Sequence, residues 1–141
     1  MSELHLRVVT PQNTVVDRKV QSVTFEGVDG SYGILPQHAA LMTATKPGVV
    51  TITETDGSVE EMIVTDGFAE MRNNILSLIC EAGELAGEID LERAAEAEAR
   101  AREQIAQSSN VDVNLPKAEA ALRRALLRQM LGRRKTARGN L

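Results

Sequence analysis

The chain is 141 residues long, which allows one ordinary domain or a small domain with an appendage. Hydrophobic residues make up 43% of it, yet there is no Trp, one Tyr and two Phe, so a core must come from Val, Ile, Leu, Met and Ala. The formal net charge of −4 conceals a split: residues 1–115 hold 8 basic and 19 acidic side chains, residues 116–141 hold 8 basic and 1 acidic. One cysteine, Cys80, excludes an internal disulfide and is too few for a zinc site. Its place in the apolar run Ile75 to Cys80 marks it as a buried structural thiol. No apolar stretch approaches the ~20 residues that span a bilayer. Met1-Ser2-Glu3-Leu4-His5 lacks the basic start and apolar run of a signal peptide, so a soluble protein made in the cytosol is expected.

From residue 3 to about 85 the chain reads as β structure. Leu4, Leu6 and Val8 alternate with His5 and Arg7, the period of a half-buried strand. Val20 to Glu26 is a second β-rich run. Val49–Glu54 and Val59–Thr65 flank Asp56-Gly57, whose residue types favour the positive φ of a tight hairpin. Asn73-Asn74 plays a similar part between Phe68–Met71 and the run from Ile75. Short strands with turn signals every 8–12 residues predict a sandwich or barrel.

At Gly87 the pattern changes. Asp90 is a plausible N-cap for a helix from Leu91 to about residue 107, which holds no Gly or Pro and only Ile105 as a β-branched residue. Ser108 to Asn114 breaks the pattern. Pro116 then suits the first turn of a second helix, expected to stop at Gly132. Leu115, Ala118, Leu122, Leu126 and Met130 are assigned to one face of it. The first helix offers mostly Ala94, Ala97 and Ala101 to its partner. Alanine favours helix but buries little area, so the two helices form locally and pack weakly. An ordinary surface hairpin and one able to detach both fit this composition.

Catalytic constellations are absent from the sequence. His5 and His38 lie in different segments, with no Cys or carboxylate at metal-ligand spacing, so neither a metal site nor a catalytic residue is expected. No phosphate-binding glycine loop or nucleophile elbow is present. Glu60-Glu61 and Glu96 with Glu98 read as solvated acids. A nucleic-acid binder using Arg133 to Arg138 is the competing class, opposed by the acidic residues 1–115 and by the lack of aromatics among the charges.

The segment Gly30-Ser31-Tyr32-Gly33-Ile34-Leu35-Pro36-Gln37-His38-Ala39-Ala40-Leu41 is distinctive. With the opening Leu4 to Pro11 and the turn Gly67-Phe68-Ala69-Glu70, it resembles the epsilon subunit family of F-type ATP synthases (delta in mitochondrial naming). That family carries Gly-Glu-x-Gly-Ile-x-Pro-x-His-Ala-Pro-Leu at this place. Ser31 stands for the usual acid and Ala40 for the usual proline, which touches the fine contacts of the loop. The resemblance spans residues 3–132.

It implies an α+β chain: an N-terminal antiparallel β-sandwich of about eight to ten short strands (1–87), then a C-terminal antiparallel α-helical hairpin (88–132) and a basic tail (133–141). It implies a non-catalytic central-stalk subunit that couples proton flow to rotary ATP synthesis, bound to the gamma subunit, the membrane rotor ring of c subunits and the alpha/beta catalytic head. No nucleic acid is among these partners. Such a subunit sits peripherally on the cytoplasmic face of the bacterial inner membrane. By match to the motif, Ser31, Tyr32, Gly33 and His38 lie in or near the loop facing the ring. The segment Ile89-Asp90-Leu91-Glu92-Arg93-Ala94 matches the motif with which some members bind ATP as a regulatory ligand, and no cofactor is required. Its implied site comprises Ile89, Asp90, Arg93, Ala94, Arg100, Arg124 and Arg128. The alternative is that Asp90 only caps the helix and Arg93 pairs with a nearby acid. The family's hairpin folds on the sandwich or extends into the head and inhibits hydrolysis, a role for which Arg123, Arg124, Arg128, Arg133, Arg134 and Lys135 are the candidates.

Overall fold

The structure is a computed structural model that describes residues 2–107, 109 and 112–139, with the side chains of 136–139 outside that description. The chain divides into two compact units, Met1–Leu85 and Ala86–Leu141.

The first unit holds ten strands: β1 (Leu4–Val9), β2 (Thr14–Val20), β3 (Ser22–Gly27), β4 (Gly30–Ile34), β5 (Leu41–Thr45), β6 (Gly48–Thr53), β7 (Val59–Val64), β8 (Gly67–Arg72), β9 (Ile75–Cys80) and β10 (Gly83–Leu85). Hydrogen bonding runs in the order β10-β7-β6-β3-β5-β8-β9-β1-β2, with β4 paired on β3. The ladder is thinnest between β3 and β5, where Gly27 opposite Thr45 is the one registered pair. There the sheet folds over into two layers, β10-β7-β6-β3-β4 and β5-β8-β9-β1-β2. All described pairs are antiparallel but one: β1 runs parallel to β9, with Leu6 beside Leu76 and Val8 beside Leu78. The sandwich is antiparallel as expected, with this pair as the exception among the described ones. The physical reason is that β1 joins β9 through a long connection, and only hairpin neighbours are obliged to run antiparallel.

Alternation decides what is inside. Leu4, Leu6 and Val8 of β1 are buried, as are Val23 and Phe25 of β3, Val50 and Ile52 of β6, Ala69 and Met71 of β8 and Leu76 and Leu78 of β9. Burying each Leu, Ile or Phe contributes roughly 1.5–3 kcal/mol, so aliphatics suffice without tryptophan. Phe25 stacks on Tyr32 of the adjacent strand, ring centroids 5.3 Å apart and planes 10° from parallel. Arg18 of β2 reaches across to Glu54, just beyond β6, with its Nε 3.1 and 3.2 Å from the two carboxylate oxygens. This ion pair joins the two layers at their rim.

The turns follow the residue types. Asn73 and Asn74 both take positive φ, 52° and 64°, the geometry of a two-residue hairpin between β8 and β9. Between β6 and β7, Gly57 has φ 87° and Asp56 accepts from the Ser58 amide at 2.9 Å.

The second unit opens with a 3₁₀ turn at Ala86–Glu88, then α1 (Leu91–Ala106) and α2 (Leu115–Gly139). Asp90 caps α1 in extended geometry, accepting from the Arg93 amide at 3.1 Å. Asn114 does the same for α2, accepting from the Lys117 amide at 3.1 Å, with Pro116 in the first turn. Of the expected linker, Ser108, Asn110 and Val111 lie outside the described residues.

Two expectations for α2 are corrected. The helix does not stop at Gly132 and leave 133–141 as a tail: it continues to Gly139, and residues 140–141 lie outside the described residues. A Cβ on residue 132 would come within 2.7 Å of Leu91 Cδ2 and 3.2 Å of Ile89 Cγ2, so this glycine admits close packing rather than ending the helix. Glycine costs a helix interior ~1 kcal/mol relative to alanine, which the following Arg, Lys and Ala residues tolerate. The buried stripe also differs. Ala118 is buried, but Leu126 and Met130 are exposed, and the stripe instead passes through Ala125, Gln129 and Gly132. Repeated steps of four rotate ~40° each away from a partner helix, whereas steps alternating between three and four stay on it.

Candidate functional site

The outer face of β5-β8-β9-β1 carries an apolar end and a charged end. Ala44 lies opposite Phe68, Phe68 opposite Ile79, and Ile79 beside Val9, a row crossing four strands. The next row is Met42, Glu70, Ser77 and Arg7, and the third holds Arg72, Ile75 and His5. Met42 is 70% exposed, Phe68 60%, Ile79 53% and Ile75 41%. Large apolar side chains in adjacent register on a solvent face mark a surface built to be covered by a partner.

Gly67 sets the edge of this face. A Cβ there would overlap the Ile79 carbonyl oxygen and lie 2.9 Å from Cys80 Cα, so β8 and β9 meet closely only with glycine at that position. Cys80 beside it is buried; burial raises its thiol pKa, and its Sγ is 3.9 Å from the Val9 carbonyl. It is a packed thiol, unsuited to nucleophilic work.

The distinctive segment forms the β3–β4 hairpin and a tight turn after it. Ser31 and Gly33 are exposed, opposite Glu26 and Thr24. Tyr32 faces the other way, half-buried against Phe25, and its hydroxyl donates to the Asp29 carboxylate at 2.9 Å. That hydrogen bond is the first cause of a raised Tyr32 pKa. Leu35-Pro36-Gln37-His38 closes with the His38 amide 3.1 Å from the Leu35 carbonyl and Gln37 at φ 64°. Proline second and positive φ third are the signature of a type II turn. Asn74 fastens it: its side-chain oxygen accepts from the Gln37 amide, and its nitrogen donates to the Glu3 carbonyl, both at 2.8 Å. The turn presents Leu35, 63% exposed, and an exposed His38. Ser31 thus lies toward the Gly27–Gly30 end of β4, and His38 past its other end beside the β8–β9 turn, with Gly33 and the supporting Tyr32 between them.

In the hairpin, Arg93 and Arg100 occupy one exposed strip of α1, seven residues apart, while Arg124 and Arg128 lie one turn apart on α2. Ile89 is half-buried and Ala94 fully buried, which leaves Ala94 a packing position. The Asp90 carboxylate is engaged as the cap of α1. Arg123 and Arg133 are exposed, as is Lys135, and Arg134 is half-buried, all on one continuous helix. Arg138, counted with the basic end, has a side chain outside the described residues.

One polar group went unnoticed in the sequence. Glu98 is not a solvated acid: it accepts from Arg102 Nε at 2.7 Å and from Gln129 Nε2 at 2.7 Å. Gln129 is buried, and its oxygen accepts from Arg133 at 2.9 Å. The hydrogen bond from Arg102 comes first and that from Gln129 second in holding the Glu98 carboxyl below its usual range. The seven-residue spacing of the neighbouring alanines was the available signal.

The architecture has counterparts in known proteins. Models of the ATP synthase delta/epsilon chain match in two parts, the β-sandwich domain over residues 3–86 and the long α-helix domain over residues 88–128. The chain belongs to the ATP synthase delta/epsilon chain family. Curated family members include the ATP synthase epsilon chain of Halalkalibacterium halodurans, 36% identical over 89% of this chain and 93% of that one. The epsilon chain of Symbiobacterium thermophilum is 37% identical, covering 91% of each. Among solved structures, the fold resembles a chain of the Euglena gracilis mitochondrial ATP synthase with TM-score 0.72, at 22% identity, over 86% of this chain and 76% of that one. The family boundary between sandwich and helices falls where the two compact units divide. Among the described residues, no helix is long and apolar enough to cross a membrane, and no cluster of three His, Cys, Asp or Glu side chains is placed to hold a metal.

Proposed function

We propose that this chain is the central-stalk subunit of a rotary ATP synthase, joining gamma to the membrane ring and restraining ATP hydrolysis through its hairpin. As a family member it is a stalk subunit rather than a catalytic one. The observation that carries the reading is the apolar row of Phe68 and Ile79 with Met42 beside it, on the solvent face of β5, β8 and β9. Gamma is its occupant. The end bearing Leu35 and His38, past the strand that holds Ser31, Tyr32 and Gly33, faces the ring, so the subunit transmits rotation driven by proton flow. It is thereby held at the membrane as a peripheral protein, on the cytoplasmic face in a bacterium. The exposed arginines of the hairpin supply its regulatory contacts, with ATP as a ligand at Arg93, Arg100, Arg124 and Arg128.

The test uses the full chain with purified gamma. Phe68→Glu and Met42→Glu place charge on the solvent face, where the free fold tolerates it, and are expected to abolish gamma binding while leaving the thermal melt near that of the unaltered protein. Unchanged gamma affinity in both variants would refute the assignment of this face.

A further inference from the structure

The turn Leu35-Pro36-Gln37-His38 is open to two forms. Types I and II follow the same path of Cα atoms and differ by a half-turn of the central peptide. The second residue's ψ moves from about −30° to about +120°, and the third residue's φ from about −90° to about +80°. Packing of the buried Ile34 and half-buried Leu41 on either side therefore does not choose between them. Proline at the second place suits both. Glutamine at the third place favours type I, because positive φ is unfavourable for a residue with a Cβ. Yet Gln37 has φ 64°, and the turn is type II.

The two forms differ in where the Pro36–Gln37 peptide points. In the observed form the Gln37 N–H donates to the Asn74 side-chain oxygen at 2.8 Å. A half-turn would remove that N–H and bring the Pro36 carbonyl towards Asn74, acceptor against acceptor. Turning the Asn74 amide over offers no escape. Its nitrogen donates to the Glu3 carbonyl at 2.8 Å, and the exchange would set two oxygens against each other there. Asn74 is itself held in place. Its backbone carbonyl accepts from the His5 N–H at 3.0 Å, and it fills the second positive-φ place of the β8–β9 turn. Residues 37–40 are exposed, and among the described residues the hydrogen bonds of His38 stay within the segment. The bond to Asn74 is left to decide the form.

We infer that Asn74 is the positioning residue of the 35–38 turn: its amide selects the type II form and points the Pro36 carbonyl away from the β8–β9 turn. The turn beside Leu35 and His38 is thereby carried by the hairpin that bears Phe68 and Ile79. One side chain then joins the gamma-facing sheet to the ring-facing turn, a role that rests on the function proposed above.

The nuclear Overhauser contact between the Pro36 Hα and the Gln37 N–H, measured in the full chain, reads the form of the turn. It is strong in type II and weak in type I, where the lower ψ turns the two hydrogens apart. Asn74→Gly keeps positive φ accessible and deletes the amide. It is expected to weaken the contact severalfold while the cross-strand contacts of β8 and β9 persist. Adding Gln37→Gly, for which positive φ carries no penalty, should restore it. Asn74→Asp keeps the acceptor, so the contact should survive there. An unchanged contact in Asn74→Gly overturns the inference; should that variant not fold, a lost contact in Asn74→Asp overturns it. ATP-driven proton pumping by the reconstituted synthase should fall in Asn74→Gly and recover in the double variant. Pumping that stays low once the contact is restored overturns the link to the ring-facing turn. A weakened contact with full pumping upholds the selection of the turn by Asn74 and refutes instead the placement of this end against the ring.

Discussion

Gln129 meets Glu98 across the hairpin at 2.7 Å, amide nitrogen to carboxylate oxygen. The contact makes the hairpin sensitive to acid in a defined direction. Arg102 and Gln129 hydrogen-bond the carboxylate, and the charges of Arg102 and Arg133 add to them, so its folded-state pKa is depressed. A depressed carboxylate contributes stability that is fully present above the unfolded value of ~4.3 and is lost as pH falls through the lower folded value. Native protein should therefore melt above Glu98→Gln at about pH 7, and the gap should close towards about pH 3. A gap of equal size at both pH values would show that the charge of Glu98 contributes nothing.

Two glycines that look alike in sequence should respond oppositely to substitution. Gly67→Ala forces a Cβ into the Ile79 carbonyl and against Cys80 Cα, backbone atoms that cannot yield without parting β8 from β9. The cost should reach or exceed the ~3 kcal/mol upper end usual for overpacking. At Gly132 the obstructing atoms are the ends of Leu91 and Ile89 side chains, and alanine gains ~1 kcal/mol of helix propensity. Gly132→Ala should be near neutral and Gly132→Leu should lose about 1–3 kcal/mol. Denaturant titration of the three variants checks this. A large loss in Gly132→Ala would instead show that Leu91 and Ile89 cannot give way to a Cβ.

Much of the sandwich was legible because local chemistry and tertiary need agree there. Leu4, Leu6 and Val8 alternate and are buried, and Asn73-Asn74 takes the two positive φ values its residue type permits. The parallel β1–β9 pair was not legible, since strand direction across a long connection leaves no local pattern. In the hairpin, Gly132 carried the usual sign of a C-terminus, but close approach to Leu91 is a second reason for glycine that only packing reveals. Glu98 was misread for a related reason: a seam of alanines is too weak in hydrophobic contrast to mark its own position. The arginines named for ATP were placed by resemblance; Arg93, Arg100 and Arg124 are exposed on α1 and α2, and Arg128 is half-buried.

ATP at the hairpin arginines should appear as a thermal shift. A ligand that binds only the closed hairpin stabilises it by RT ln(1 + [L]/Kd), ~2.7 kcal/mol at a hundredfold excess over Kd. Arg93→Ala and Arg100→Ala, both on exposed positions of α1, should remove the shift without lowering the melt of the ligand-free protein. Asp90→Ala is a less selective probe, because it also removes the α1 cap at a cost of ~1 kcal/mol. Calorimetry that detects no heat of binding at millimolar ATP would leave the motif as a helix cap alone.

The continuation of α2 through Gly132 changes what the basic cluster can do. A flexible tail dilutes its charge over many conformations, but a helix from Leu115 to Gly139 holds Arg123, Arg133 and Lys135 at fixed spacing on one rod about 37 Å long. Exposed ion pairs contribute only ~0–1 kcal/mol each, so hairpin stability does not account for so dense a run of cations. An anionic surface elsewhere in the synthase accounts for it better, since several arginine–carboxylate hydrogen bonds formed together are strong and directional. The exposed Leu126 and Met130 add an apolar strip between Arg123 and Arg133 for the same contact. Arg123→Ala with Arg133→Ala should therefore raise ATP hydrolysis by the reconstituted synthase severalfold, while gamma binding through Phe68 and Met42 stays intact. A helix-breaking Gly132→Pro should raise hydrolysis as well, because it uncouples the last two turns from the rod while keeping every charge. If hydrolysis rises in neither variant, nor when residues 91–141 are deleted, the hairpin is not an inhibitor in this protein.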